Sequence, residues 1–272
     1  MTRLFLSLIL FLHFSGCTPD DKKWVALGDS ITYLNDHQDE TGNRITKGYM
    51  TRVTEALPHI AYINKGYNGW TATDIAREID NLDLPEAEVY SVFLGTNDWW
   101  RGSPIGALDD YINATGHKTL YGSFRIIIDK LRQLNPEASI ILITPMQRVD
   151  FVYIADMKNN AFGSFKEKNG QSLSAFADAI VKIAEHERLA VVDLYHQSGM
   201  NHENLVRFKR LKDPNTGEYK DFHYPDFIDV PFNPETDEYP YPPEATQMTY
   251  DGLHPSDAGY EVIADMLIDV LD

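Results

Sequence analysis

Short apolar runs alternate along this chain with stretches whose apolar residues recur about every three to four positions, the period of a helix with one buried face. The runs at 24–27, 60–64, 89–94, 139–143 and 189–193 are rich in β-branched and aromatic residues and nearly continuous in their apolarity, as strands buried on both faces are. Helical periodicity at 48–57, 72–82, 121–134 and 173–188 fills the intervals, and Asn135-Pro136 stops the third of these helices. A last helix is expected over 256–271, with Ser256 or Asp257 as N-cap and Tyr260, Ile263, Ala264, Leu267 and Leu271 along one face. This alternation predicts an α/β fold, a doubly wound and mostly parallel five-stranded sheet with helices on both sides. Ligands of such sheets bind beyond the carboxyl ends of the strands, so the chemistry is expected in the turns that follow them.

The rhythm fails over 198–248. That stretch holds Pro214, Pro225, Pro231, Pro234, Pro240, Pro242 and Pro243, interleaved with Tyr219, Tyr224, Tyr239 and Tyr241. A loop of this length in a compact domain is either a cover that shapes a site or an excursion packed by its own side chains, and both readings stay open. The run Asp213-Pro214-Asn215-Thr216-Gly217 predicts a hairpin turn. A calcium loop would need a terminal glutamate and a glycine elsewhere.

The first residues stand apart from the domain. Arg3 precedes an apolar stretch over 4–14, too short to span a bilayer as a helix, and Phe14-Ser15-Gly16-Cys17 then gives way to a polar tether over 18–23. Residues 1–17 resemble a bacterial lipoprotein signal, which implies export, a lipid on Cys17 and residence in the cell envelope. An ordinary secretory peptide is the alternative. Cys17 is the only cysteine, so no disulfide can form within the chain. The formal net charge of −17 argues against nucleic acid and against tight docking on anionic lipid. It leaves the N-terminal lipid as the expected membrane contact, and it suits a neutral or weakly charged substrate.

Four short motifs fall where the fold places chemistry. Gly28-Asp29-Ser30-Ile31 follows the first strand, Asn64-Lys65-Gly66-Tyr67-Asn68-Gly69-Trp70-Thr71 the second, and Gly95-Thr96-Asn97-Asp98 the third, while Asp251-Gly252-Leu253-His254-Pro255 precedes the last helix. Each alone is an ordinary turn. Together and in this order they resemble the SGNH hydrolases, also called the GDSL family of esterases and lipases, over 24–272. The resemblance implies a flavodoxin-like three-layer α/β/α sandwich. It implies Ser30 as nucleophile, His254 as base and Asp251 as the residue that orients the base. Ser30, Gly69 and Asn97 become the oxyanion donors, and no cofactor or metal is called for.

The residue types suit that chemistry. A serine hydroxyl needs an imidazole to take its proton, the imidazole needs a carboxylate to fix its tautomer, and the oxyanion needs N–H donors. Asp29 is expected to shape the turn. His186, His196, His202 and His223 lack metal-ligand spacing. Trp99 and Trp100, beside Asn97, and Gln147 and Arg148, after the fourth strand, are candidate substrate contacts. The expected activity is hydrolysis of a small-molecule or glycan ester, foremost deacetylation of a carbohydrate. A lysophospholipase or thioesterase, and a glycan-binding lipoprotein without catalysis, are the alternatives.

Overall fold

The structure is a computed structural model that describes residues 21–272. Cys17 and the rest of the expected signal lie outside the described residues. Five parallel strands, β1 (Lys22–Gly28), β2 (Ile60–Gly66), β3 (Val89–Phe93), β4 (Ser139–Ile143) and β5 (Ala190–Val192), form one sheet in the order β2-β1-β3-β4-β5. The order reverses at β1, and the register pairs Gly28 with Gly66 on one side and with Phe93 on the other. The three turns that carry the motifs therefore leave the same edge of the sheet side by side.

Alternate residues of each strand feed two cores. Trp24, Ala26, Phe93, Ile141 and Ile143 pack with α1 (Tyr49–Ala56) and α5 (Asp257–Leu271). Val25, Leu27, Tyr90, Val92 and Leu142 pack with α2 (Ala72–Glu78), α3 (Leu120–Leu134) and α4 (Leu173–Glu187) on the other face. The result is the expected three-layer sandwich. Trp24, wholly buried in β1, satisfies its indole N–H by donating to Ser91 Oγ on β3 at 2.9 Å. Ser256 caps α5 by accepting from the Gly259 N–H at 3.3 Å. The second helix is shorter than its periodicity suggests, because Ile79–Asn81 tightens into a turn of 3₁₀ helix after Glu78.

The proline-rich stretch is part of the body of the protein. Leu205, Val206, Leu211, Phe227 and Tyr241 are buried and join the core beside α5. The expected turn at 213–217 closes an antiparallel hairpin of Lys209–Lys212 and Tyr219–Phe222. Lys209 then bonds Asp150 Oδ2 at 2.7 Å, and the Tyr241 hydroxyl donates to the Asp150 carbonyl. The stretch thus props the segment after β4 from behind.

Candidate active site

β1 ends at Gly28 and the chain turns at once into a short helix, Ser30–Tyr33. Asp29 caps that helix, its Oδ1 accepting from the Ile31 N–H at 3.0 Å, and Ser30 is left half-buried at the rim of the sheet. From the other end of the chain, the loop before α5 folds around a carboxylate. Asp251 Oδ1 accepts the backbone N–H groups of Leu253 at 3.0 Å and His254 at 2.7 Å. Its second oxygen, Oδ2, lies 2.7 Å from His254 Nδ1, and His254 Nε2 lies 2.9 Å from Ser30 Oγ. With Nδ1–H donating to the carboxylate, Nε2 is the lone-pair nitrogen that accepts the serine hydroxyl.

Asp251 is fully buried and His254 nearly so. Backbone bonds from Val149 to the Gly252 carbonyl (3.0 Å) and from Val152 to the Asp251 carbonyl (3.2 Å) clamp the loop to the segment after β4. Gly252 permits that contact. Its φ is +91°, and a Cβ there would come within 2.0 Å of the Asp150 carbonyl oxygen.

The opposite wall comes from two other turns. Gly69, between β2 and α2, has φ +72°, and its carbonyl accepts from Arg101 Nη2 at 2.6 Å. Asn97 lies in a short helix, Thr96–Arg101, after β3, and its Nδ2 donates to the Trp70 carbonyl at 3.0 Å and to Asp29 Oδ2 at 3.3 Å. The neighbouring Asp98 is wholly buried and accepts the Ala72 N–H at 3.1 and 3.0 Å, which ties the β3 turn to the start of α2. Burial pushes the Asp98 carboxyl up to about 7, against the backbone bond from Ala72. Burial likewise pushes Asp29 up to about 6, against the Ile31 bond and the nearby His254.

Ser30, His254, Gly69 and Asn97 line a single cleft of about 360 Å³, and Asp251 stands behind His254. Of the candidate substrate contacts, Trp100 and Arg148 line the cleft as well. Trp99 and Gln147 do not. Trp99 is wholly buried on the inward face of its short helix, with its indole N–H donating to the Gln171 carbonyl at 3.0 Å, so its role is packing. Gln147 points away, with Nε2 reaching the Tyr195 carbonyl at 3.5 Å. Sequence reasoning missed Phe151, Tyr153, Asn159 and Ala161, which a small hairpin (Phe151–Val152 with Asn160–Ala161) brings to the cleft wall. It also missed Leu253 and Glu40.

The amino-acid sequence matches the profile of the GDSL-like lipase/acylhydrolase family over residues 26–262. The chain belongs to that family. With membership goes carboxylic ester hydrolysis, the activity for which this cleft is equipped. Among solved structures, a Chitinophaga pinensis protein described as a possible lipase is 62% identical, with 92% of this chain and 97% of that one covered and a TM-score of 0.91. A Lactobacillus plantarum protein is 22% identical (93% and 97% covered, TM-score 0.62), and an acetyl xylan esterase is 19% identical (92% and 100% covered, TM-score 0.53). These last two share the fold. No curated protein sequence matches the chain significantly.

Proposed function

We propose that the protein is a serine esterase that deacylates a carbohydrate, foremost by removing acetyl groups, through a covalent acyl-enzyme. The observation that carries this reading is the unbroken line of hydrogen bonds from Ser30 Oγ through His254 to Asp251, at 2.9 and 2.7 Å. Ser30 Oγ attacks the ester carbonyl carbon while its proton passes to His254 Nε2, and Asp251 stabilises the imidazolium. The backbone N–H groups of Ser30 and Gly69 receive the oxyanion, joined by the Asn97 amide as one of its two N–H groups turns from Trp70 or Asp29 to the substrate, each such donor contributing about 3–4 kcal/mol to the transition state. As the tetrahedral intermediate collapses, the leaving alcohol takes the proton from His254. Water then gives a proton to His254 and attacks the acyl-enzyme. The acid departs and Ser30 recovers its hydroxyl proton.

A carbohydrate suits the walls. Trp100 offers a half-buried aromatic face, and Asn68, Asn159, Tyr153 and Glu40 line the same cleft with hydrogen-bonding groups. Labelling with a fluorophosphonate tests the nucleophile: it should disappear in Ser30→Ala together with hydrolysis of 4-nitrophenyl acetate. Labelling that persists in this variant, or a wild type that neither labels nor turns over, overturns the mechanism. Acetate release from acetylated oligosaccharides tests the substrate class.

The proposed place of work is the cell envelope, on a lipid at Cys17, and this rests on the sequence of 1–23 alone. Metabolic labelling with a palmitate analogue should be lost in Cys17→Ala; unchanged labelling removes the anchor.

A further inference from the structure

One charged group of the cleft has no part in the steps above. Arg148, from the segment after β4, is 1% exposed, yet it lines the same cleft as Ser30 and His254. Its guanidinium carbon lies 5.5 Å from the ring centres of both Trp99 and Trp100 and 5.9 Å from that of Phe151. Among the described residues its side chain donates one hydrogen bond, from Nη2 to the Phe162 carbonyl at 3.2 Å, and its buried Nε finds no partner.

Among the described residues no carboxylate pairs with it. Asp251 is committed to His254, and Asp150 is committed to Lys209 at 2.7 Å. The other charged side chains that line the cleft are occupied. Arg101 bonds Asp74 and the Gly69 carbonyl, and Glu40 accepts the Tyr33 hydroxyl at 2.8 Å. A further cation stands close by, with Lys168 Nζ 4.3 Å from the Trp100 ring centre.

Burying a guanidinium with no carboxylate in contact is costly, and the longer-range attraction of Asp251 and Asp150 together with three aromatic rings offsets only part of that cost. The same burial makes the site strong for an anion. A carboxylate that meets a buried guanidinium gains a charge-assisted bond, strengthened by the low local dielectric. The overall acidity of the chain suggested a neutral substrate, whereas Arg148 places a buried positive charge at the cleft wall.

We propose that Arg148 anchors a carboxylate carried by the substrate, so that the preferred esters belong to acidic molecules such as an acetylated uronic acid. This rests on the serine-esterase reading of the cleft. Arg148 is on this account a specificity residue, and Trp100 and Phe151 hold the organic part of the substrate beside it.

The test is a ratio of kcat/KM values within two matched pairs. 4-Nitrophenyl hydrogen succinate against 4-nitrophenyl butyrate places the carboxylate on the acyl side. Acetylated methyl glucuronoside against acetylated methyl glucoside places it on the alcohol side. In the wild-type protein the acidic member of one pair should be favoured by about tenfold or more, within the strength of a charged hydrogen bond, and that pair tells which side Arg148 reads. In Arg148→Met the ratio should fall to about one, chiefly through KM, and Arg148→Lys should restore part of it. Inhibition of the wild-type protein by free glucuronate or succinate but not by glucose would support the anchor even if the variants do not fold.

Equal turnover within both wild-type pairs overturns the proposal. So does an Arg148→Met that slows both members alike and leaves the ratio standing, since Arg148 would then act through Asp251 or through packing. Hydrolysis without acid preference sinks this inference alone. Absence of all hydrolysis and of fluorophosphonate labelling sinks the esterase reading with it.

Discussion

The two sides of Ser30 are built by different means. On one side, His254 and Asp251 share a single loop whose own backbone N–H groups hold the carboxylate and whose carbonyls are clamped to the segment after β4. On the other side, Gly69 and Asn97 come from separate turns and are half-buried, and the Asn97 amide already donates to Trp70 and Asp29. What fastens that side is a pair of buried carboxylates, Asp29 and Asp98, each reaching across to or receiving bonds from a neighbouring turn. The relay is therefore organised by local backbone geometry, and the oxyanion wall by ionisable groups at longer range. Damage to the first should appear as lost chemistry in an intact fold. Damage to the second should carry a dependence on pH.

The largest effect is expected on the relay side. Asp251→Asn keeps a side-chain oxygen for the Leu253 and His254 N–H groups but removes the charge that fixes the imidazole tautomer. We expect kcat to drop by about 10⁴-fold with the circular dichroism spectrum unchanged. A loss below about tenfold would mean that another group orients His254, and the contrast between the two sides would fail. Asn97→Ala should cost less, about 10²–10³-fold in kcat with KM little changed, because it removes one oxyanion donor of three. Steady-state kinetics on 4-nitrophenyl acetate measures both. If Asn97→Ala retains most of the wild-type kcat, the backbone donors of Ser30 and Gly69 suffice and the Asn97 amide serves only to join Trp70 to Asp29.

The relay side was also the more legible in the sequence. Asp251 and His254 stand three residues apart in one loop before a strongly periodic helix, and Ser30 follows closely on an apolar run, 24–27, that reads as a buried strand. The five strands were legible because parallel strands covered on both faces leave continuous apolar runs. The oxyanion wall was legible as motifs but not as a mechanism of support. Nothing in Gly95-Thr96-Asn97-Asp98 shows that Asp98 turns inward to the start of α2.

The specificity wall was least legible. The strands of the hairpin at Phe151–Val152 and Asn160–Ala161 are too short to have a period. Adjacent residues of a helix point in directions about 100° apart, so Trp99 and Trp100 were bound to differ, yet only packing decides which one enters the core. Arg148 runs against the rule that arginine stays at the surface, and its burial could not be read from its neighbours in the chain.

The smallest predicted effect separates the two sides most directly. The carboxyl of Asp98 is pushed up to about 7 by burial, from an ordinary value of 3.8. Between those limits the folded protein binds a proton that the unfolded chain has released. The resulting contribution to stability is fully present below about pH 4 and is lost as pH rises through about 7. Asp29, raised to about 6, acts in the same direction over a lower window. Asparagine at 98 cannot ionise and can still accept a bond from the Ala72 N–H through its side-chain oxygen. Urea unfolding of Asp98→Asn and of wild type at pH 5 and pH 8 should therefore show the variant gaining relative to wild type at the higher pH. The upper bound is a few kcal/mol, since each unit of pKa shift is worth about 1.4 kcal/mol. Parallel stabilities at the two pH values would mean that the Ala72 N–H keeps Asp98 charged at no cost. The oxyanion wall would then be as locally fixed as the relay, and the difference between the two sides of Ser30 would reduce to one of exposure.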